Sequence, residues 1–161
     1  VSASLRIEPA AESDVPLILS FIRKLAEYEN LSHLVVATEE NVREHVFGAN
    51  PVAEVLLAYW DQEPVGFALY FRNFSTFLGQ PGIYLEDVFV DPPHRGKGIG
   101  KALLARLAKV AAERGYGRLD WAVLDWNTPS IEFYRSLGAV PLDAWTGYRL
   151  TGEALARLAG T

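Results

Sequence analysis

Cysteine is missing from all 161 residues. Its absence excludes disulfides, thiolate nucleophiles and Cys-ligated zinc. With no disulfide to require an oxidising compartment, the cytoplasm is the expected location. Histidine is scarce as well. His33, His45 and His94 stand apart with no metal-ligand spacing, so no metal is expected. No Gly-x-Ser-x-Gly elbow of an esterase occurs. Long apolar runs are lacking: the longest uncharged stretches, such as Val55 to Trp60, have strand length rather than the roughly 20 residues of a spanning helix. The start lacks the basic region and apolar run of a signal peptide, and residues 1–4 read as a disordered lead-in. Positive charge is also in deficit, with 15 Lys and Arg against 20 Asp and Glu and a net charge of −5. That balance argues against nucleic acid as a partner and favours a cationic small molecule.

What remains is an ordinary globular composition, half hydrophobic and 22% charged, at single-domain length. Leu5 to Glu8 alternates as a first strand, stopped by Pro9. Ser13 is placed to cap a helix carrying Val15, Ile18, Phe21, Ile22 and Leu25 and ending near Tyr28 to Asn30. Thr38 with Asn41 opens a shorter helix closed by Gly48. Ala53 to Trp60 and Pro64 to Phe71 form a predicted hairpin about Asp61, Gln62 and Glu63. Phe71 to Leu78 reads as a strand end running into a loop, Gly79 to Gly82 as a turn, and Ile83 to Val90 as a strong strand. A helix follows from about Gly98 to Arg114, with Leu103, Leu104, Leu107, Val110 and Ala111 on its apolar stripe. Leu119 to Leu124 is a further strand. Thr128 as cap with Pro129 starts a short helix that ends before Gly138. Ala139 to Leu142 and Tyr148 to Leu150 read as closing strands, and Glu153 to Leu158 as a last helical turn. This order predicts an α/β (α+β) fold around one mixed, mostly antiparallel sheet flanked by helices.

The most informative stretch is Arg95-Gly96-Lys97-Gly98-Ile99-Gly100-Lys101, between a strand and a helix. Alternate glycines let successive backbone N–H groups approach an oxyanion, and the helix terminus adds partial positive charge. The Walker pattern fails, because Arg95 stands where its first glycine belongs and Ala102 where Ser or Thr belongs. The dinucleotide pattern fails at Lys101. A flexible turn that merely caps a helix would share these glycines.

Arg95-Gly96-x-Gly98-Ile99-Gly100 after Val88-Phe89-Val90 resembles the acetyl-CoA pyrophosphate loop of the GNAT N-acetyltransferase superfamily. The segment from Asn127 through Phe133-Tyr134 to Gly138-Ala139 is similar to its second cofactor-contacting stretch. Leu25-Ala26-x-Tyr28-Glu29, Tyr84-Leu85-Glu86-Asp87 and Trp126-Asn127-x-Pro129-Ser130-Ile131 add a likeness to the diamine (spermidine/spermine and thialysine) N-acetyltransferase group. These blocks occur in order over nearly the whole chain, so the resemblance implies one acetyltransferase domain over 5–161, with acetyl-CoA as cosubstrate and a homodimer as the usual assembly.

Carried onto this sequence, the resemblance assigns the pyrophosphate to Arg95, Gly96, Lys97, Gly98, Ile99, Gly100 and Lys101. The pantetheine arm would lie along the backbone of Val88, Phe89 and Val90. Asn127, Thr128, Pro129 and Ser130 would contact the coenzyme at the following helix. Tyr134 matches the general acid, itself beside the coenzyme, and Glu86 the substrate-side carboxylate. Tyr28, Glu29, Asp120, Trp121 and Ala122 would shape an amine pocket. Bland readings stand beside these: Glu86 and Asp87 as carboxylates bonded to backbone or basic neighbours at a splay in the sheet, Tyr134 as a packed core tyrosine, and Glu29 as a solvated helix end.

The chemistry can be weighed on general grounds. An alkyl amine of pKa about 10.4 is neutral in roughly one molecule in 2,500 at pH 7, a cost near 4.6 kcal/mol. A carboxylate of pKa about 4.3 is a poor direct base, so Glu86 is expected to bind the ammonium and relay its proton through water. A departing thiolate of pKa near 8.5 can take a proton from a tyrosine of pKa about 10. Alternation along a strand would turn Glu86 and Asp87 to opposite faces. Thr146 stands where the group often carries an acidic residue. That shifts the expected amine from a polyamine towards a shorter, thialysine-like one. An acyl-CoA sensor without catalysis, an acetyltransferase for an unrelated amine and a nucleotide-phosphate module are the alternatives.

Overall fold

Glu54–Trp60 (β2) and Glu63–Ser75 (β3) are rich in aliphatic and aromatic residues and form the middle of the sheet. They are joined at Asp61 and Gln62, both at positive φ, the backbone that matches strand twist in a two-residue hairpin. The computed structural model describes residues 4–161. Leu5–Pro9 (β1), Gln80–Val90 (β4) and Leu119–Trp121 (β5) complete a sheet of order β1-β2-β3-β4-β5. Every pairing is antiparallel except β4 with β5, which is parallel. The mixed, mostly antiparallel sheet is therefore as expected. The expected lead-in is corrected at its last residue. Ser4 is fastened to the hairpin, its N–H donating to Asp61 Oδ1 at 2.9 Å and its carbonyl accepting from Asp61 N at 3.0 Å. Residues 1–3 lie outside the described residues.

Within residues 4–122 two helical layers cover the sheet. Val15–Tyr28 (α1) and Glu39–Phe47 (α2) share one cluster of Val15, Ile18, Phe21, Val42, Val55, Leu57, Phe67 and Phe89. Phe21 stacks on Phe67 at 5.5 Å. A 3₁₀ turn, Glu12–Asp14, precedes α1, so the residue at its N-cap is Asp14 rather than Ser13. For α2, Thr38 and Asn41 form the reciprocal capping box that the sequence signals. Ile99–Glu113 (α3) packs against β1 to β4 and buries Ile99, Leu103, Leu104, Leu107 and Ala111. Leu56, Ala58, Ala68 and Leu85, one residue out of phase with the α1-side cluster, fill the opposite face.

Residues 123–161 form a second compact unit. It holds Thr128–Ser136 (α4) and Gly152–Ala159 (α5) and, among the described residues, no strand. The expected strands at 139–142 and 148–150 are thus corrected to irregular chain, and the strand expected over 119–124 stops at Trp121. A strand needs a partner's edge as well as an alternating pattern, and Pro141 has no N–H to offer one. The chain here instead exposes apolar side chains, with Trp145 77% and Tyr148 96% accessible.

Candidate active site

The site begins with a defect in β4. Leu69 of β3 pairs with Asp87 and Tyr70 with Leu85, so Glu86 is an extra residue in the ladder. A bulge of this kind shifts the phase of alternation. Tyr70 and Leu69 face opposite sides, so Leu85 and Asp87, two residues apart, do as well. Asp87 thereby joins Leu69 and Phe89 on the α1 face, and simple alternation breaks between Leu85 and Asp87. Tyr84, stacked on Phe71 at 5.2 Å, shares that face. Glu86 itself is exposed; burial first, and then the charge of Glu86, raises the pKa of both Tyr84 and Asp87.

Asp87 is the perturbed group of this cluster. Burial, then the charges of Glu86 and Glu29, push its carboxyl up from the usual range to about 7. Glu29, the half-buried residue ending α1, is raised by burial too. The folded protein therefore holds a proton on Asp87 at a pH where the unfolded chain has lost it. The stabilisation is complete below the ordinary carboxyl pKa near 3.8 and is lost as pH rises through about 7. Asp87→Asn cannot ionise. Its Tm relative to the parent should become more positive between pH 5 and pH 8, with a ceiling of roughly 3 kcal/mol that solvent screening lowers. Equal Tm differences at the two pH values would refute the burial argument.

Past Leu85 the sheet splays. β5 pairs with Ile83, Tyr84 and Leu85 only, so residues 86–90 have β3 on one edge and no strand on the other among the described residues. An open edge of this kind can take an extended ligand as an added strand, the role expected for the backbone of Val88, Phe89 and Val90. The chain then makes a 3₁₀ turn, Pro92–His94, and enters the glycine stretch. Gly96 and Gly98 sit at φ +77° and +81°, and a Cβ at either would meet no atom within 4 Å. Gly98 is the N-cap of α3 and lends no side chain, and the first turn carries no acidic residue. The first amides of the helix, at Ile99, Gly100 and Lys101, have no acceptor within it. Open space, bare backbone and a positive helix end fit an extended diphosphate.

Two of this loop's cations, Arg95 and Lys97, make contacts of their own. Lys97 Nζ lies 5.0 Å from the Trp60 ring centre. Arg95 turns back over Tyr28, at 4.5 Å from the ring centre, and over Phe89 at 5.4 Å. Its Nε donates to the Val90 carbonyl at 2.9 Å. Asp91 at the loop's entry is paired with Lys24 at 3.1 Å. Within residues 4–122 the structure thus gathers Tyr28, Arg95, Glu29, Glu86 and Asp87 at the splayed end of β4. Asp120 is paired with Arg118 at 2.9 Å, Trp121 is half-buried and Ala122 is exposed.

In the unit 123–161, Asn127 rather than Thr128 caps α4. It is buried, and its side-chain oxygen accepts from Ser130 N at 3.4 Å. Thr128 is the first helical residue, followed by Pro129. Tyr134 is half-buried on this helix, 5.5 Å from the ring of Phe133. Asp87 is the residue that reading the sequence left out of the site. Nothing in a single sequence marks a bulge, and without the bulge Asp87 could not share a face with both Tyr84 and Phe89.

The profile of the Acetyltransferase (GNAT) family matches residues 22–139. A thialysine N-epsilon-acetyltransferase of Mus musculus is 42% identical over 98% of this chain and 99% of its own length. An L-ornithine N5-acetyltransferase of Arabidopsis thaliana is 33% identical over 93% of this chain and 86% of its own. Among solved structures, an integron cassette protein from the mobile metagenome of V. cholerae superposes with a TM-score of 0.81 at 29% identity, covering 98% of this chain and 99% of that one.

Proposed function

The chain belongs to the GNAT acetyltransferase family and is an N-acetyltransferase, and from that premise we propose that it acetylates the side-chain amine of a short, amino-acid-like substrate of the thialysine or ornithine kind. GNAT acetyltransferases use acetyl-CoA as cosubstrate. The amides from Gly96 to Lys101 would hold its diphosphate, with Lys97 and Lys101 beside them. The backbone of Val88 to Val90 would take the pantetheine arm, and Asn127 to Ser130 would touch it at the start of α4. Bound acetyl-CoA supplies an activated acetyl thioester, which a neutral amine attacks directly.

The chain's own residues handle the protons. Glu86 orients the ammonium and relays its proton through water. Asp87, at about 7, is a better-matched acceptor than an ordinary carboxylate, because it lies about three units closer to an amine of pKa ~10.4. The Tyr134 hydroxyl protonates the departing sulfur. Tyr28 and Glu29, with Asp120, Trp121 and Ala122, shape the amine side, where acidic and aromatic groups suit a cation on a methylene chain. Thr146 supplies no second anion for the far ammonium of a polyamine, which supports the shorter substrate.

The observation that carries this reading is the pair of left-handed glycines facing open space at the uncapped start of α3. A single acetyltransferase domain over 5–161 and a cytoplasmic homodimer complete the proposal. The exposed Trp145 and Tyr148 supply apolar surface for such an assembly. The mouse and Arabidopsis relatives are acetyltransferases, and nothing supports a non-catalytic acyl-CoA sensor. The test is a panel of thialysine, ornithine, lysine, simple diamines and spermidine with acetyl-CoA, reading free thiol. The amino-acid amines should show kcat/KM at least ~10-fold above spermidine, about what one lost charge contact supplies. A preference for spermidine would overturn the substrate class, and no thiol release with any amine would overturn the activity.

A further inference from the structure

Arg95 lies in the coenzyme loop, yet its side chain points away from the loop's open space. Its guanidinium covers the Tyr28 ring at 4.5 Å and the Phe89 ring at 5.4 Å, and its Nε is bonded to the Val90 carbonyl at 2.9 Å. Tyr28 is the last residue of α1 and precedes Glu29, whose charge reaches Asp87. One planar cation therefore joins the end of β4 to the end of α1. The first carries the expected coenzyme edge and the second the expected amine pocket. Lysine cannot reproduce both contacts, since it lacks the planar group and the fixed Nε–H.

We propose that Arg95 is a positioning residue for the amine substrate: stacked on Tyr28 and anchored to the Val90 carbonyl, it holds the α1 end of the amine pocket in register with β4. It acts through Tyr28 and not by touching the diphosphate. This inference rests on the acetyltransferase reading above and adds to it a residue on the amine side. The stack is worth something because a guanidinium over an aromatic face gives up little hydration, and the bond to Val90 fixes where the plane lies. Freed from it, Tyr28 keeps its helix but loses a contact across one face of its ring.

Steady-state kinetics on Arg95→Gln, varying amine and acetyl-CoA separately, tests the idea. The expected result is an amine KM raised about 10-fold with an acetyl-CoA KM changed less than about 2-fold. In a Tyr28→Ala background the same substitution should alter the amine KM less than about 2-fold, because the ring through which it acts is gone. Tyr28→Phe keeps the ring and should preserve the full Arg95 effect. Arg95→Lys should show the same split at about 3-fold and serves in place of Arg95→Gln should the latter fail to fold. A rise confined to the acetyl-CoA KM would make Arg95 a diphosphate ligand and overturn the proposal, as would an undiminished effect in the Tyr28→Ala background. In either case the parent enzyme still turns over. Absence of turnover in the parent itself would instead sink the acetyltransferase reading.

Discussion

Tyr134→Phe is expected to lower kcat about 100-fold while the KM for acetyl-CoA moves less than about 3-fold. The substitution removes one oxygen from a half-buried ring on α4 and keeps the aromatic packing with Phe133 at 5.5 Å. A residue that only packs would tolerate it with little loss of rate. A general acid would not, because the sulfur would then have to leave as an unprotonated thiolate. The leaving group gives a second readout: the variant should lose less rate with an acetyl thioester of a more acidic thiol. Activity within about 2-fold of the parent would return Tyr134 to the role of a packed tyrosine and require another proton donor.

Gly98→Val should raise the acetyl-CoA KM about 100-fold. The residue sits at φ +81°, where a β-branched side chain costs about 1–3 kcal/mol, and its methyls would enter the open space in front of the α3 amides. Strain alone could weaken the enzyme, so Gly115→Val is the matched control. Gly115 lies at the far end of the same helix at φ +71°, also with nothing within 4 Å of a Cβ. Both variants should melt earlier by similar amounts, since both force a branched residue into the left-handed region. The coenzyme KM should rise in Gly98→Val alone. An equal rise in both would assign the effect to general destabilisation and remove the loop from coenzyme binding.

Much of this site can be read along the chain because its parts are local. The glycine loop is a run of seven residues between a strand and a helix, and its backbone follows from having glycine at the positions that need positive φ. The capping box of Thr38 and Asn41 spans four residues and forms as written. Four of the five residues on the apolar stripe of α3 are buried and Val110 is partly so, while Ile99, buried at the helix start, lies outside that stripe. Errors begin where a partner is needed. The segments 139–142 and 148–150 alternate like strands but form none, since periodicity cannot say whether an edge is available to pair with. Asn127 takes the cap in place of Thr128 because a cap is chosen by where the helix geometry starts, and adjacent polar residues compete for it on nearly equal terms.

Left to itself, the sequence determined the order of the helices and of strands β1 to β5, the glycine loop and the family, because each depends on short-range patterns that the backbone obeys wherever the segment lies. Only the tertiary structure decided that Glu86 is a bulge, that Asp87 shares the α1 face with Tyr84 and Phe89, and that Arg95 reaches back to Tyr28. Those facts depend on the register between β3 and β4 and on where the end of α1 comes to rest. Register and packing are settled by residues far apart in the chain, and a one-residue slip in pairing is enough to exchange one face for the other.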